Sequence, residues 1–231
     1  MQNNFWRWIF LTTLAVMIIF GFGKRAEAVS YSGFVSTPEA SGITAYNEWA
    51  NGLYLGWVVD DTSNPGYWTY KYTFQDTSGQ VKNLSHLIIE VSPTFSVNDV
   101  YAVNGAKSWE LKTYSGDDPS NPGMPGSLYG IKFNAPDDPS NPITITLITQ
   151  RSPVWGDFYA KDGKTDQKDN YAYNTGFLAA DPVDGPGDGS INNHILVPDT
   201  QQVFVPEPGT LLLLGFGLLG IGGAARLRKR I

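Results

Sequence analysis

The chain has no cysteine and only two histidines among its 231 residues. Without cysteine there is no disulfide staple, no thiolate nucleophile and no thiolate-ligated metal, so stability has to come from packing. With only His86 and His194 as imidazoles, there is little material for a nucleophile–base pair or a tetrahedral zinc site. No G-x-S-x-G stretch is present, so a hydrolase elbow is not signalled. Basic residues are scarce away from the ends: between Val29 and Pro208 there are nine Lys and Arg against 21 Asp and Glu, about −12, where the whole chain carries −6. A body so acidic repels nucleic acid and anionic membrane surfaces. Sustained helical periodicity is also lacking after the first 28 residues, except in "ASGITAYNEWANGL", which reads ambiguously.

What the chain does have is unevenly placed. At the N-terminus Arg7 precedes an apolar stretch, and "GKRAEAVS" follows, in which Ala26-Glu27-Ala28 is an A-x-A cleavage site. Residues 1–28 therefore read as a signal peptide, with the mature chain starting at Val29. At the other end an apolar run over residues 209–225 reaches roughly 26 Å as a helix, just enough to span a bilayer. The basic cluster Arg226, Arg228, Lys229 and Arg230 acts as a cytoplasmic stop, so the span runs from outside to inside. Signal peptide and stop cluster thus give the same topology. No two glycines of the run are four apart, so no GxxxG pairing face exists.

Directly before that run stands Pro206-Glu207-Pro208. Tripeptide, apolar run and terminal arginine cluster occur in that order over residues 206–231, and this resembles the PEP-CTERM sorting signal of bacterial exosortase substrates. The resemblance implies a Gram-negative bacterium that makes exopolysaccharide, and an exosortase, a membrane-embedded cysteine protease or transpeptidase, that cuts near the tripeptide. The two prolines hold the backbone extended and remove amide donors, so the tripeptide cannot join the helix and stays open to an active site at the membrane surface. Membrane anchoring would then be transient, ending at the outer surface or in the extracellular matrix.

The body between the ends consists of short alternating segments separated by Gly, Pro, Asn and Asp. In "GYWTYKYTF" Trp68, Tyr70, Tyr72 and Phe74 share one face; in "SLYGIKFN" Tyr129, Ile131 and Phe133 do, and in "PITITLIT" Ile143, Ile145 and Leu147. "NLSHLIIEVS" alternates less cleanly. "SPVWGDFYAKDGK" runs into Asp162-Gly163, a tight-turn signal, with "NYAYNTGFL" as the return strand. The sequence predicts an all-β domain over residues 29–180, an antiparallel β-sandwich of about eight to ten strands for which a jelly roll is one strand order. Residues 181–205 read as a final short strand at "HILV" and a loose linker.

"DDTSNP" at Asp60–Pro65 recurs as "DDPSNP" at Asp117–Pro122 and Asp137–Pro142. Aspartate and asparagine cap turns while proline fixes φ, so turn chemistry accounts for all three copies. The same side chains are hard oxygen ligands, which makes calcium at Asp60 and Asp61, Asp117 and Asp118, or Asp137 and Asp138 the alternative. His86 and Glu90 lie about 13 Å apart on one strand, too far to pair, and His86 is read as structural. His194 falls in the loose region. A two-carboxylate glycosidase needs a pair that meets only in three dimensions, and the sequence selects none. Exposed aromatics offer a further possibility, stacking on sugar faces, and Trp155 and Tyr159 beside the Asp162-Gly163 turn are its candidates against a core role. The expectation is a non-enzymatic surface protein with a structural or adhesive role in an exopolysaccharide or biofilm matrix. It would be met by signal peptidase and exosortase and need no cofactor unless calcium. A carbohydrate-binding module is the alternative, and a glycoside hydrolase a distant one.

Overall fold

A computed structural model describes residues 28–77, 84–137 and 141–198. All of them belong to one compact unit, Ala28–Gln202. The signal peptide and the predicted membrane span at 209–225 lie outside the described residues. Thirteen short strands follow one another: β1 (Ser30–Ser36), β2 (Ile43–Ala45), β3 (Leu53–Asp60), β4 (Trp68–Asp76), β5 (His86–Glu90), β6 (Val100–Asn104), β7 (Ser108–Tyr114), β8 (Leu128–Asn134), β9 (Ile143–Thr149), β10 (Pro153–Gly156), β11 (Phe158–Thr165), β12 (Lys168–Asn174) and β13 (Ile195–Pro198). The fold is all-β and every strand pairing is antiparallel.

The strands form a five-stranded sheet in the order β1-β3-β4-β9-β6, a six-stranded sheet in the order β2-β12-β11-β5-β8-β7, and the pair β10-β13. One hydrophobic cluster takes side chains from all three: Leu55, Tyr70, Tyr72, Phe74, Ile145 and Leu147 from the first sheet, Leu87, Ile89, Ile131, Phe133 and Phe158 from the second, and Trp155 with Ile195–Val197 from the pair. Two sheets over a shared core is the β-sandwich arrangement. The inward faces are those the alternation indicates, since Tyr70, Tyr72 and Phe74 on β4 are all buried while Lys71 between them is exposed.

Strand β5 departs from alternation because both of its faces are covered. Leu87 and Ile89 enter the main cluster, while Ile88 joins a second one with Tyr114, Met124, Leu128, Tyr159 and Phe177 on the outer face of the six-stranded sheet. That face is covered by the loop carrying the Asp117–Pro122 copy of the repeat, whose Pro122 carbonyl accepts a 2.7 Å hydrogen bond from Tyr159 Oη. Gly123 in this loop has φ 68°, and a Cβ there would come within 2.2 Å of the Tyr171 ring, so the loop can lie flat on the sheet only with glycine.

Two local expectations need correction. The hairpin turn falls at Asp166-Gln167, both with positive φ (48° and 63°), and not at Asp162-Gly163. Such a two-residue loop with both centres left-handed matches strand twist; Asp162-Gly163 instead lies inside β11, at a one-residue shift of register between Lys161 and Lys164. Asn170 reinforces that shift by donating to the Gly163 carbonyl at 2.9 Å. The ambiguous "ASGITAYNEWANGL" resolves into β2 between two 3-10 turns, and the second, Asn47–Asn51, places fully buried Trp49 against Phe74 with ring centroids 5.1 Å apart. Its helix-like spacing reflects one large side chain that has to reach the core.

Strand β13 pairs only with β10, in the register Trp155↔Leu196. It is fastened to the larger sheets from several sides. Tyr72 Oη donates to the Leu196 carbonyl at 2.9 Å, and the loop before β13 is held by Trp155 Nε1 on the Gly185 carbonyl at 3.3 Å. Ser32 N donates to Asp188 Oδ1 at 2.8 Å, while Gly189 N donates back to the Ser32 carbonyl. The stretch read as loose from its Gly, Pro and Asp content is therefore tied down at several points.

Candidate functional site

Of the residues singled out in sequence, Ala26, Pro206, Glu207, Pro208, Arg226, Arg228, Lys229 and Arg230 lie outside the described residues, as does Asp138. Ala28 and Val29 are the first described residues, and Val29 N–H donates to Asp61 Oδ1 at 2.9 Å while its carbonyl accepts from Asp61 N at 3.2 Å.

The repeat aspartates act as turn acceptors. Asp60 Oδ1 accepts from the amides of Thr62 and Ser63 at 2.9 and 2.6 Å, and Oδ2 accepts from Ser63 Oγ. Burial is the largest single influence and opposes its ionisation, but the donors from Ser63 and Thr62 together outweigh it and hold its carboxyl below the usual range. Asp118, beside Asp117, accepts from Ser120 N at 2.8 Å, and Asp137 pairs with Lys107. In the third copy Asn141 clamps the backbone of Asp76, accepting from its N–H and donating to its carbonyl at 2.8 Å. No two copies share a ligand cluster among the described residues.

Trp155 and Tyr159 are both buried, so neither can stack on a sugar, which corrects their reading as glycan contacts. They also face opposite ways, Trp155 into the main cluster and Tyr159 into the outer one. The short backbone step from β10 into β11 turns the chain between them, which simple alternation does not anticipate.

The chemistry the sequence did not assemble lies at the end of the six-stranded sheet. Asp157, between β10 and β11, exchanges hydrogen bonds with Glu90 at the end of β5: Asp157 N donates to Glu90 Oε2 at 2.8 Å, and Glu90 N donates to the Asp157 carbonyl at 2.9 Å. Asn174, the last residue of β12, donates from Nδ2 to Asp157 Oδ1 at 2.6 Å and accepts from Phe158 N at 2.9 Å. His194, just before β13, brings Nε2 to 3.5 Å from Asp157 Oδ1 and 3.6 Å from Asp181 Oδ1. Left-handed backbone at Asn192 and Asn193 turns the chain so that the imidazole points inward. Gly176 makes space for it, because a Cβ there would stand 2.7 Å from His194 Cε1.

Burial pushes the Glu90 carboxyl up to about 8, and the charges of Asp181 and Asp157 add to the rise. Burial likewise pushes Asp157 up to about 6, against the opposing effects of Asn174 and His194. Asp181 is raised by burial too, with His194 opposing. Asp157 and His194 are sealed from solvent, whereas the Asp181 side chain is 47% exposed. Among the described residues, Asp157, Asp181 and His194 form the one group whose three metal-ligating atoms lie within 4.8 Å of one another. The sequence held one signal for it: an aspartate and a histidine each stand directly before a buried apolar stretch, "FYA" and "ILV".

Residues 204–229 match the PEP-CTERM protein-sorting motif. The chain carries a PEP-CTERM sorting signal. That motif assigns it to the exosortase pathway, with export and membrane-associated sorting to the cell surface. No curated protein and no solved structure matches the chain. The PEP-CTERM match lies wholly outside Ala28–Gln202, so the sealed cluster belongs to the exported body and not to the address.

The other histidine of the chain, His86, is buried on β5 with its ring 6.1 Å from that of Tyr159. Burial pushes it down to about 3, with Lys132 and Lys161 adding, while Asn121 and Asp118 work the other way. Between that value and about 6.5 the unfolded chain binds the extra proton, so the contribution is fully present above pH 6.5 and lost as pH falls towards 3. In urea denaturation from pH 7 to pH 4, the stability of the wild type relative to His86→Gln is expected to fall by up to about 1.4 kcal/mol per pH unit. Parallel stability curves for the two proteins would contradict a buried neutral His86.

Proposed function

We propose that this protein is exported, cleaved by signal peptidase between Ala28 and Val29, and held transiently by the span at residues 209–225. Exosortase processing at Pro206-Glu207-Pro208 then leaves it at the outer surface as a structural or adhesive component of an exopolysaccharide or biofilm matrix. The observation that carries this reading is the PEP-CTERM motif at residues 204–229. The start of β1 at Ser30 supports the cleavage position, since a cut before Val29 removes nothing from the sheet. A mature Val29 would also turn its N–H hydrogen bond to the Asp61 carboxylate into an ammonium–carboxylate pair. An acidic body, about −12 between Val29 and Pro208, suits a soluble matrix component and disfavours nucleic acid as a partner. The reading is non-catalytic: Glu90 and Asp157 have separated carboxyl affinities of the kind a glycosidase uses, but Asp157 is buried and its N–H is hydrogen-bonded directly to Glu90 Oε2, which does not suit a pair that must flank a sugar.

A second reading, carbohydrate binding, draws on a different surface from the one first indicated. On the outer face of the five-stranded sheet Phe34 is 58% exposed and stacks on Tyr54, with ring centroids 5.5 Å apart and planes 25° from parallel. Gly56 pairs directly with Phe34, and a Cβ there would meet Tyr54 Oη at 2.5 Å, so glycine lets the tyrosine lie flat. Val58 continues the apolar surface, with Lys71 exposed opposite it on β4. A flat aromatic platform beside polar side chains suits the alternating apolar and hydroxyl faces of a polysaccharide.

Intact mass of the mature protein from cells with and without the exosortase tests the sorting reading. The expected product starts at Val29 and lacks the segment after the Pro-Glu-Pro site only when the enzyme is present; retention of that segment in both strains would contradict it. For the second reading, mature wild type should be retained on the host's exopolysaccharide with Phe34→Ala weakened about tenfold, one aromatic contact being worth roughly 1–1.5 kcal/mol. Equal retention of the two proteins, or none of either, would remove it.

A further inference from the structure

We propose that Asp157, Asp181 and His194 bind one divalent transition-metal cation of the Zn2+ class, through His194 Nε2 and one carboxylate oxygen of each aspartate. The first argument is spacing. In a tetrahedral site with metal–ligand bonds of about 2.0–2.1 Å, neighbouring ligand atoms stand about 3.3 Å apart. His194 Nε2 stands 3.5 Å from Asp157 Oδ1 and 3.6 Å from Asp181 Oδ1, too long for good hydrogen bonds and close to the edges of such a tetrahedron.

The second argument is an open valence. His194 is fully buried, yet its Nε2 makes no hydrogen bond. The other ring nitrogen, Nδ1, faces the Ile191 carbonyl at 3.3 Å. A proton on Nδ1 donated to that carbonyl leaves the Nε2 lone pair aimed at the two aspartates. This is how a backbone carbonyl fixes the tautomer of a metal-ligating histidine. Without a cation, that buried lone pair would face two carboxylates with no donor to satisfy it.

Outer contacts complete the site. Asn174 orients Asp157 through its 2.6 Å bond to Oδ1, and Ser190 Oγ donates to the His194 carbonyl at 2.7 Å. Hydrogen-bonded ligands of this kind keep a site in shape before the ion arrives. The half-exposed Asp181 side chain gives a small ion a way in that a sugar ring lacks. One imidazole among the ligands favours a transition metal over Ca2+ or Mg2+, which prefer all-oxygen sets. The ligands come from the β10–β11 junction, the loop after β12 and the residue before β13. A bound ion would therefore cross-link three segments of a chain that has no cysteine.

The test uses tag-free mature protein, stripped with chelator and titrated with ZnCl2, MnCl2 and CaCl2 by calorimetry and by thermal unfolding. The expected result is one Zn2+ per chain, with Tm raised by roughly 5–10 °C at about a hundredfold excess over Kd. Asp181→Asn, at a half-exposed loop position, should weaken Zn2+ binding at least about tenfold while the metal-free variant still unfolds in one cooperative thermal transition. No heat and no Tm shift with either ZnCl2 or MnCl2 would overturn the proposal. Undiminished Zn2+ binding by Asp181→Asn would also overturn it, as would CaCl2 binding as tightly as ZnCl2.

Discussion

The buried carboxylate of Asp157 is the point on which the end of this domain depends. Through its backbone and Oδ1 it meets Glu90 of β5, Asn174 of β12 and His194 before β13, and it stands itself where β10 passes into β11. These strands have to be brought into one arrangement without a disulfide. Apolar burial supplies most of the cohesion but is non-directional. The hydrogen bonds around Asp157 supply direction; an ordinary one is worth about 0.5–1.5 kcal/mol and one to an ionised carboxylate about 1.5–3 kcal/mol, while a buried group left unpaired costs about 1–3 kcal/mol. Such a network specifies a geometry only when it is satisfied throughout. His194 Nε2 is the member left open, and a cation would close it.

The placement of β13 follows from the same junction. The β10-β13 pair is hydrogen-bonded as a ladder to neither large sheet. It stays in place because Ile195, Leu196 and Val197 fill the shared core, because Tyr72 reaches across to the Leu196 carbonyl, and because His194 is seated beside Asp157. The loop over residues 175–193 is long and rich in glycine and aspartate, yet it is pinned at Gly185, Asp188 and Gly189. Its composition resembles a linker, but its contacts make it part of the fold.

How much of this was legible in the sequence depended on whether the controlling interactions were local. Strands β4, β8 and β9 could be read because apolar side chains at every second position, such as Tyr70, Tyr72 and Phe74, Ile131 and Phe133, and Ile143, Ile145 and Leu147, all enter the main core. Strand β5 blurred because a second cluster covers its outer face, and no local pattern announces that cover. The hairpin was legible, but its tip falls at Asp166-Gln167 and not at Asp162-Gly163, because Asp-Gly marks a register shift as readily as a turn. Trp155 and Tyr159 could not be called buried or exposed from alternation, since the chain passes from the pair into the sheet between them. The histidine cluster was faint for a plainer reason. Its three members stand in separate segments that read respectively as a strand, a loose linker and the head of a short strand, and nothing local brings them together.

Sorting and folding thus occupy separate parts of the chain. The PEP-CTERM tail, with its prolines, apolar run and arginines, is readable because membrane insertion and recognition at the membrane surface act on linear sequence. The body's chemistry exists only once the sheets have met. The most direct measurement of that chemistry is anomalous X-ray scattering from crystals of the mature protein grown with Zn2+, collected on both sides of the zinc absorption edge. A single peak among His194 Nε2, Asp157 Oδ1 and Asp181 Oδ1 is the predicted result. An edge-independent map with His194 Nε2 hydrogen-bonded directly to a carboxylate would contradict it.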